Sequence, residues 1–208
     1  MSDSTANAGA QPSASRPQPS WVLWLEGIPG IVLAFLWGLA EGTFFFVVPD
    51  VIISLVALLN PRRAWPHIVA AIAGSVLGGM LLFNWASRDP GSAHETIARV
   101  PFVTARMFAQ VNASYRMHGL GAVFLGPLSG TPYKIYAVEA PRFIGKTAFM
   151  WGTAPARGER FLLVWAVFGA VATLLRRSFK RTPLQLALGH GSFWVLLYAF
   201  YWGMIVFR

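Results

Sequence analysis

From Pro66 to Ala86 the chain runs 21 residues without Asp, Glu, Lys or Arg. Wound as a helix at about 1.5 Å per residue, such a run covers the roughly 30 Å hydrocarbon thickness of a bilayer. A lipid core offers no water to unpaired backbone groups, so a chain built around this run has few folds open to it beyond a helical bundle. Leu184 to Phe207 is a second run of this kind, broken only by Gln185 and His190. Phe161 to Leu175 is shorter, and spans only if extended back towards Thr147 with Arg157, Glu159 and Arg160 turned to protein or water. Hydrophobic residues make up 55% of the positions and charged ones 12%, about half the charged share of a soluble domain. The expected class is therefore an all-α integral membrane protein.

Residues 1–20 are Ser, Ala, Pro, Gln and Asn with little apolar content, the composition of a disordered tail. With no apolar run before Trp21, they do not read as a signal peptide. A net charge of +9 would point a soluble protein to nucleic acid, but here the basic residues gather at the ends of apolar runs. That placement fits topology and anionic lipid, and no nucleic-acid partner is expected. No cysteine is present, so neither a disulfide framework nor a thiolate metal site is available to the chain.

Two segments do not read as simple spans. Residues 38–61 carry Glu41, Pro49 and Asp50; residues 121–141 carry Pro127, Gly130, Pro132 and Lys134. Proline removes a donor and blocks helix continuation on its N-terminal side, so both segments read as broken helices that enter and turn back. Gly38 to Pro49 and Gly121 to Pro132 are separated by the same 11 positions. Each is followed by a longer apolar helix, 66–86 and about 150–175, as in an inverted repeat. Residues 87–118 form the long polar outer loop with an interfacial helix, and 184–208 the C-terminal transmembrane helix. Arg62 and Arg63 at one loop, and Arg176, Arg177, Lys180 and Arg181 at another, place both loops in the cytoplasm. The hairpins then enter from opposite sides and their tips meet near the midplane.

Glu41-Gly-Thr-Phe-Phe-Phe-Val-Val-Pro49-Asp50, Asn60-Pro61-Arg62-Arg63-Ala64-Trp65 and Gly74-Ser75-Val76-Leu77-Gly78-Gly79 form one set of motifs. Thr131-Pro132-Tyr133-Lys134-Ile135 and Ala156-Arg157-Gly158-Glu159-Arg160-Phe161 form a second. Together, over residues 38–175, they resemble the YqaA-like branch of the DedA or VTT-domain (SNARE-associated Golgi protein-like) membrane proteins. The resemblance implies opposed re-entrant hairpins with embedded acidic and basic residues, in a bacterial plasma (inner) membrane. It also implies movement of lipids such as polyprenyl phosphates, in some cases coupled to protons. Glu41 and Asp50 match the family's acidic positions, Lys134 and Arg157 the basic positions of this branch. One departure is plain: Pro127 and Leu128 follow Gly126 where the better-studied branch has Gly-Arg-Phe.

The residues support a similar reading on their own. Carboxylates at membrane depth are costly and mark functional sites. Pro49 and Pro132 are expected to open the returning half-helices, with Thr131 as an N-cap. Half-helix N-termini, the Lys134 ammonium and the Tyr133 hydroxyl suit a phosphate headgroup. Glu41 and Asp50 need partners, for which Lys134, Arg157 and Arg160 are the candidates, and protonation of Glu41 or Asp50 is expected to free Arg157 for the headgroup. Plainer readings stand beside these. Glu41 and Arg157 pair statically; Asp50 serves only a helix dipole; Lys134 reaches an interface by its stem; Arg157 and Arg160 form a local network with Glu159. Glu139 has no evident partner.

No metal, cofactor or enzymatic activity is expected. His67, His94, His118 and His190 show no ligand spacing, and no nucleophile elbow or dinucleotide loop is present. His190 and Ser192 point to different helix faces, and a Ser129–Lys134 dyad is weakly placed. The trp and phe residues read as lipid-facing or belt residues. Lipid or lipid-phosphate transport is favoured; alternatives are a membrane enzyme acting on lipid and a non-transporting scaffold or assembly factor.

Overall fold

In a computed structural model, residues 18–126, 129–178 and 182–206 are described. Most of the polar tail, Pro127 and Leu128, Lys180 and Arg181, and the last two residues fall outside them. Every regular element among the described residues is helical: α1 Ser20–Glu26, α2 Ile28–Thr43, α3 Asp50–Leu59, α4 Ala64–Arg88, α5 Pro90–Ala98, α6 Ala105–His118, α7 Gly121–Leu125, α8 Tyr133–Glu139, α9 Lys146–Ser178 and α10 Pro183–Val206. Short 3₁₀ turns at Pro61–Arg63 and Ala140–Arg142 lead towards α4 and α9. Two helical stretches, Pro61–Arg88 and Lys146–Arg176, are long and apolar enough to cross a membrane. A third is added if α1 and α2, bent by 55° where they join, count as one span.

Three expectations are corrected by these elements. The first broken segment does not begin at Gly38: α2 starts ten positions earlier, because Gly27 is extended (φ −91°, ψ −168°) and Pro29 fits the first helical turn that follows. Residues 87–118, expected as a loop with one interfacial helix, hold two helices, α5 and α6, after the end of α4, and the buried apolar side chains of Ile97, Phe108, Val111 and Tyr115 explain why. The Tyr115 hydroxyl donates 2.9 Å to the carbonyl of Tyr136, and burial pushes its pKa well above the ordinary tyrosine value. The C-terminal segment forms α10 as expected, yet it is not among the helices apolar enough to cross. Gln185, His190 and its Tyr, Trp and Gly residues dilute its hydropathy.

α2 and α4 make the closest approach. A Cβ on Gly38 would stand 2.3 Å from the Ala71 carbonyl oxygen, one on Gly74 2.1 Å from that of Phe35, and one on Gly78 2.6 Å from that of Leu39. The backbones therefore touch along a seam of glycines, as the Gly74–Gly78 spacing leads one to expect. Because Gly38 faces Ala71 and Gly42 faces Ser75 and Gly78, the two helices run parallel. The intervening α3 must then carry the chain back from the end of α2 to the start of α4. α9 runs the other way: Phe83 stacks on Phe149 near one end, and Trp65 meets Trp165 near the other. Arg176 donates to the Leu59 carbonyl, which brings it to the same end of the bundle as Arg62 and Arg63.

Two apolar cores result. One joins Ile52, Ile53 and Val56 of α3 to Ala34, Ile68, Ala71 and Phe161. The other joins the second half of α4 to α5, α6, α8 and the first half of α9, around Phe108, Ile135 and Phe149. The charged residues lie between them. Gly74→Ala is expected to lower the thermal unfolding midpoint in detergent by several degrees, corresponding to about 1–3 kcal/mol of overpacking strain. That strain outweighs the roughly 1 kcal/mol that alanine gains over glycine in a helix. Gly189→Ala, where a Cβ meets nothing within 4 Å, is the control and should not lower it.

Candidate functional site

The chain breaks helix twice near the middle of the bundle. Residues 44–49 separate α2 from α3, and residues 129–132 precede α8. Pro49 and Pro132 stand one position before their helices rather than inside them, and neither helix start has a side-chain cap. Thr131 is accordingly not the N-cap of α8, a correction that follows from Pro132 occupying that position. α3 leads from its break to the basic end; α8 leads from its break towards α5, where Glu139 meets His94. The two breaks meet: the Lys134 ammonium, at the start of α8, donates 3.1 Å to the Phe45 carbonyl in the first break.

All six expected site residues are brought together. Glu41, held mid-bundle by the glycine seam, accepts from Arg157 Nη2 at 2.6 Å, with both side chains almost wholly buried. Asp50, on the first turn of α3, accepts from Arg160 Nε at 2.7 Å and from Nη2 at 2.5 Å. Arg157 and Arg160 are three apart on α9, so the same helix face serves both carboxylates. Glu159 is exposed and bridges to neither, so a local network within α9 is not what forms. Lys134 does not reach an interface either, being 1% exposed.

The two arginines differ in surroundings. The Arg157 guanidinium lies 5.1 Å from the Tyr133 ring centre and 4.9 Å from that of Phe161, one ring from each apolar core. Its Nε and Nη1 are buried without an acceptor, and the two aromatic faces offset part of that loss. Arg160 is 23% exposed in its side chain. It lines a cavity of about 220 Å³ together with Glu41, Tyr133 and Lys134, whereas Arg157 does not. Arg157 is buried behind Glu41, and the basic groups on the cavity wall are Lys134 and Arg160. Tyr133 contributes its ring to the wall, but its hydroxyl is 3.1 Å from Thr153 Oγ1 rather than free. It fits because Gly79 has no Cβ, which would stand 1.9 Å from that hydroxyl.

Opposite the charges the cavity is apolar and aromatic, with Phe46, Phe102, Trp194, Tyr198 and Trp202 on its wall. Phe102 stacks on Trp202 at 4.6 Å with planes 2° apart, and its φ of +66° lies in the left-handed region uncommon for a non-glycine residue. The α10 contribution was missed in the sequence. A signal was there: His190, Trp194, Tyr198 and Tyr201 recur at four- and three-residue steps, one face of a helix. That face is tied to the core, with His190 Nε2 2.7 Å from Ser54 Oγ and the Val48 N–H donating 2.9 Å to the Tyr198 oxygen. Glu139, without an evident partner in the sequence, is buried and held by His94 at 2.9 Å and Arg142 at 2.8 Å.

Among the described residues two carboxylates face three cations at this site, and the ammonium of Lys134 is bridged to neither carboxylate. No family model matches the chain, and neither a curated protein nor a solved structure does. Glu41→Ala should destabilise the bundle by about 3–5 kcal/mol, the cost of stranding a buried partner. The double variant Glu41→Leu/Arg157→Met should recover most of that loss in the same unfolding measurement. Asp50→Asn, whose partner keeps contact with solvent, should cost less than Glu41→Ala.

Proposed function

We propose that the protein is a membrane transporter that moves a lipid bearing an anionic, phosphate-class headgroup across the bilayer, in the manner the DedA resemblance implies. The observation that carries this reading is Lys134: a buried cation at the meeting point of two helix breaks, bonded to one carbonyl and to no carboxylate. A buried lysine hydrogen-bonded to one carbonyl and to no carboxylate is incompletely satisfied, and an anion in the adjoining cavity supplies a partner. The cavity has both halves of a lipid's chemistry. Lys134 and Arg160 face the headgroup side, and the aromatic wall of Phe46, Phe102, Trp194 and Trp202 faces the chain side.

In this reading the breaks are the tips of re-entrant hairpins in a bacterial inner membrane, with the basic end of the bundle in the cytoplasm. Irregular backbone at membrane depth is tolerated where it is buried in protein or lines a cavity, and Phe46 and Val48 of the first break and Gly130, Thr131 and Pro132 of the second line this one. Headgroup binding draws Arg160 from Asp50. A carboxylate stripped of its counter-charge in a low-dielectric cavity takes up a proton, so lipid binding and proton uptake go together at this site. Glu41 and Arg157 hold the helices in register throughout. The enzyme reading has less behind it: the Ser54–His190 contact lies between α3 and α10 behind Trp194, and neither residue lines the cavity.

The test is headgroup-resolved flipping in proteoliposomes, comparing a fluorescent polyprenyl phosphate with a zwitterionic phospholipid. Wild type should move the phosphate selectively. Lys134→Gln should lower its rate about ten- to a hundredfold, the loss of a charge-assisted hydrogen bond of roughly 1.5–3 kcal/mol. Equal rates for the two lipids, or a Lys134→Gln variant as fast as wild type, would overturn the reading. Unchanged rates in Asp50→Asn at every pH would remove the proton uptake.

A further inference from the structure

A second cavity, of about 410 Å³, adjoins the first and shares Gly130, Thr131 and Tyr201 with it. Its remaining wall comes from the start of α6, with Arg106 and Gln110, and from Ser129 and Met204. α10 runs from the basic end, past Ser54 and Val48, to Gly130. The second cavity therefore lies farther from the basic end than the first. Two of the shared residues are joined by a hydrogen bond, from the Tyr201 hydroxyl to the Gly130 carbonyl at 2.8 Å. Gly130 adopts φ +74°, a conformation open to glycine at little cost, and a Cβ there would meet nothing within 4 Å. The acceptor is thus carried by a backbone position free to turn.

We propose that this outer cavity is a receiving subsite for a phosphate-class anion, with Arg106 as its cation and Tyr201 as the gate to Lys134 and Arg160. The inference rests on the function proposed above and deepens it. Exposure and charge argue the sequence of events. Arg106 is exposed and among the described residues bridges to no carboxylate, which suits a cation that captures a hydrated ion. Lys134 and Arg160 are buried or half-buried, which suits groups that replace its water. Between them the Tyr201 hydroxyl gives up one neutral hydrogen bond to open, a small cost beside either charge contact.

Because the chain has no cysteine, a single introduced thiol reports the passage without any demand on lipid movement. In the reconstituted full chain, Thr131→Cys, buried and common to both cavities, should react slowly with an anionic methanethiosulfonate. Tyr201→Phe, which keeps the ring and removes the hydroxyl, should speed that reaction about five- to tenfold, the scale of one lost hydrogen bond. Ser129→Cys, exposed in the outer cavity, should react fast in both backgrounds. Inorganic phosphate at matched ionic strength should slow labelling of Ser129→Cys relative to chloride, and Arg106→Gln should abolish that protection. An unchanged Thr131→Cys rate in Tyr201→Phe, or an equal acceleration of Ser129→Cys, overturns the gate. Phosphate protection that is absent, or that survives Arg106→Gln, overturns the subsite. Failure of lipid flipping with these labelling results intact would instead count against the transport reading alone.

Discussion

Charge taken out of water must be matched nearby, and that requirement organises this bundle. Two apolar cores are stacked along one axis, and the layer between them contains Glu41, Asp50, Lys134, Arg157 and Arg160. Each ion pair crosses from one part of the chain to a distant one, with 116 positions between Glu41 and Arg157 and 110 between Asp50 and Arg160. Neither pair forms unless α2, α3 and α9 are all in place. A hydrophobic layer of the same volume would be as stable or more so. What the ions add is a fixed register between elements and one cation in excess.

The glycine seam between α2 and α4 is what makes the depth of Glu41 attainable. With backbones in contact at Gly38, Gly42, Gly74 and Gly78, α2 lies close enough along α4 for its end to reach the middle of the bundle. The same packing leaves Gly79 free to admit the Tyr133 hydroxyl from α8. α4 therefore touches both broken segments through neighbouring small residues. Short side chains here are a condition for the charged layer, since any Cβ at Gly74 or Gly79 would push one tip away from the other.

Much of this was legible in the sequence, for reasons that differ from element to element. The run from Pro66 to Ala86 could only be a long helix, and Glu41 and Asp50 stood out because nothing else charged surrounds them. Pro49 and Pro132 marked the breaks because a missing donor acts locally. A static Glu41–Arg157 pair was one of the plainer readings, but nothing in the sequence chose it over Arg160, since both arginines share a helix face and only the packed position of α3 distinguishes them. α5 and α6 were hidden by their polar composition; a handful of buried apolar side chains, Ile97, Phe108 and Val111 among them, decides their fold. The aromatic face of α10 was lost among rings that read equally well as lipid-facing. Its cavity role depends on Val48 and Gly130, which are far away in the chain.

The contrast between Arg157 and Arg160 shows how two identical residues one helical turn apart acquire different parts. Arg157 is sandwiched by Tyr133 and Phe161 and faces Glu41 across a dry contact. Moving it would strand a carboxylate and empty the space between two rings. Arg160 is on the rim, partly solvated, and bonded to one oxygen of Asp50 while the other oxygen has no partner. Its displacement costs the difference between two hydrated or paired states rather than a full desolvation. On the proposed function, this unequal burial makes Glu41–Arg157 the fastener and Asp50–Arg160 the pair able to exchange partners, beside a lysine hydrogen-bonded to no carboxylate.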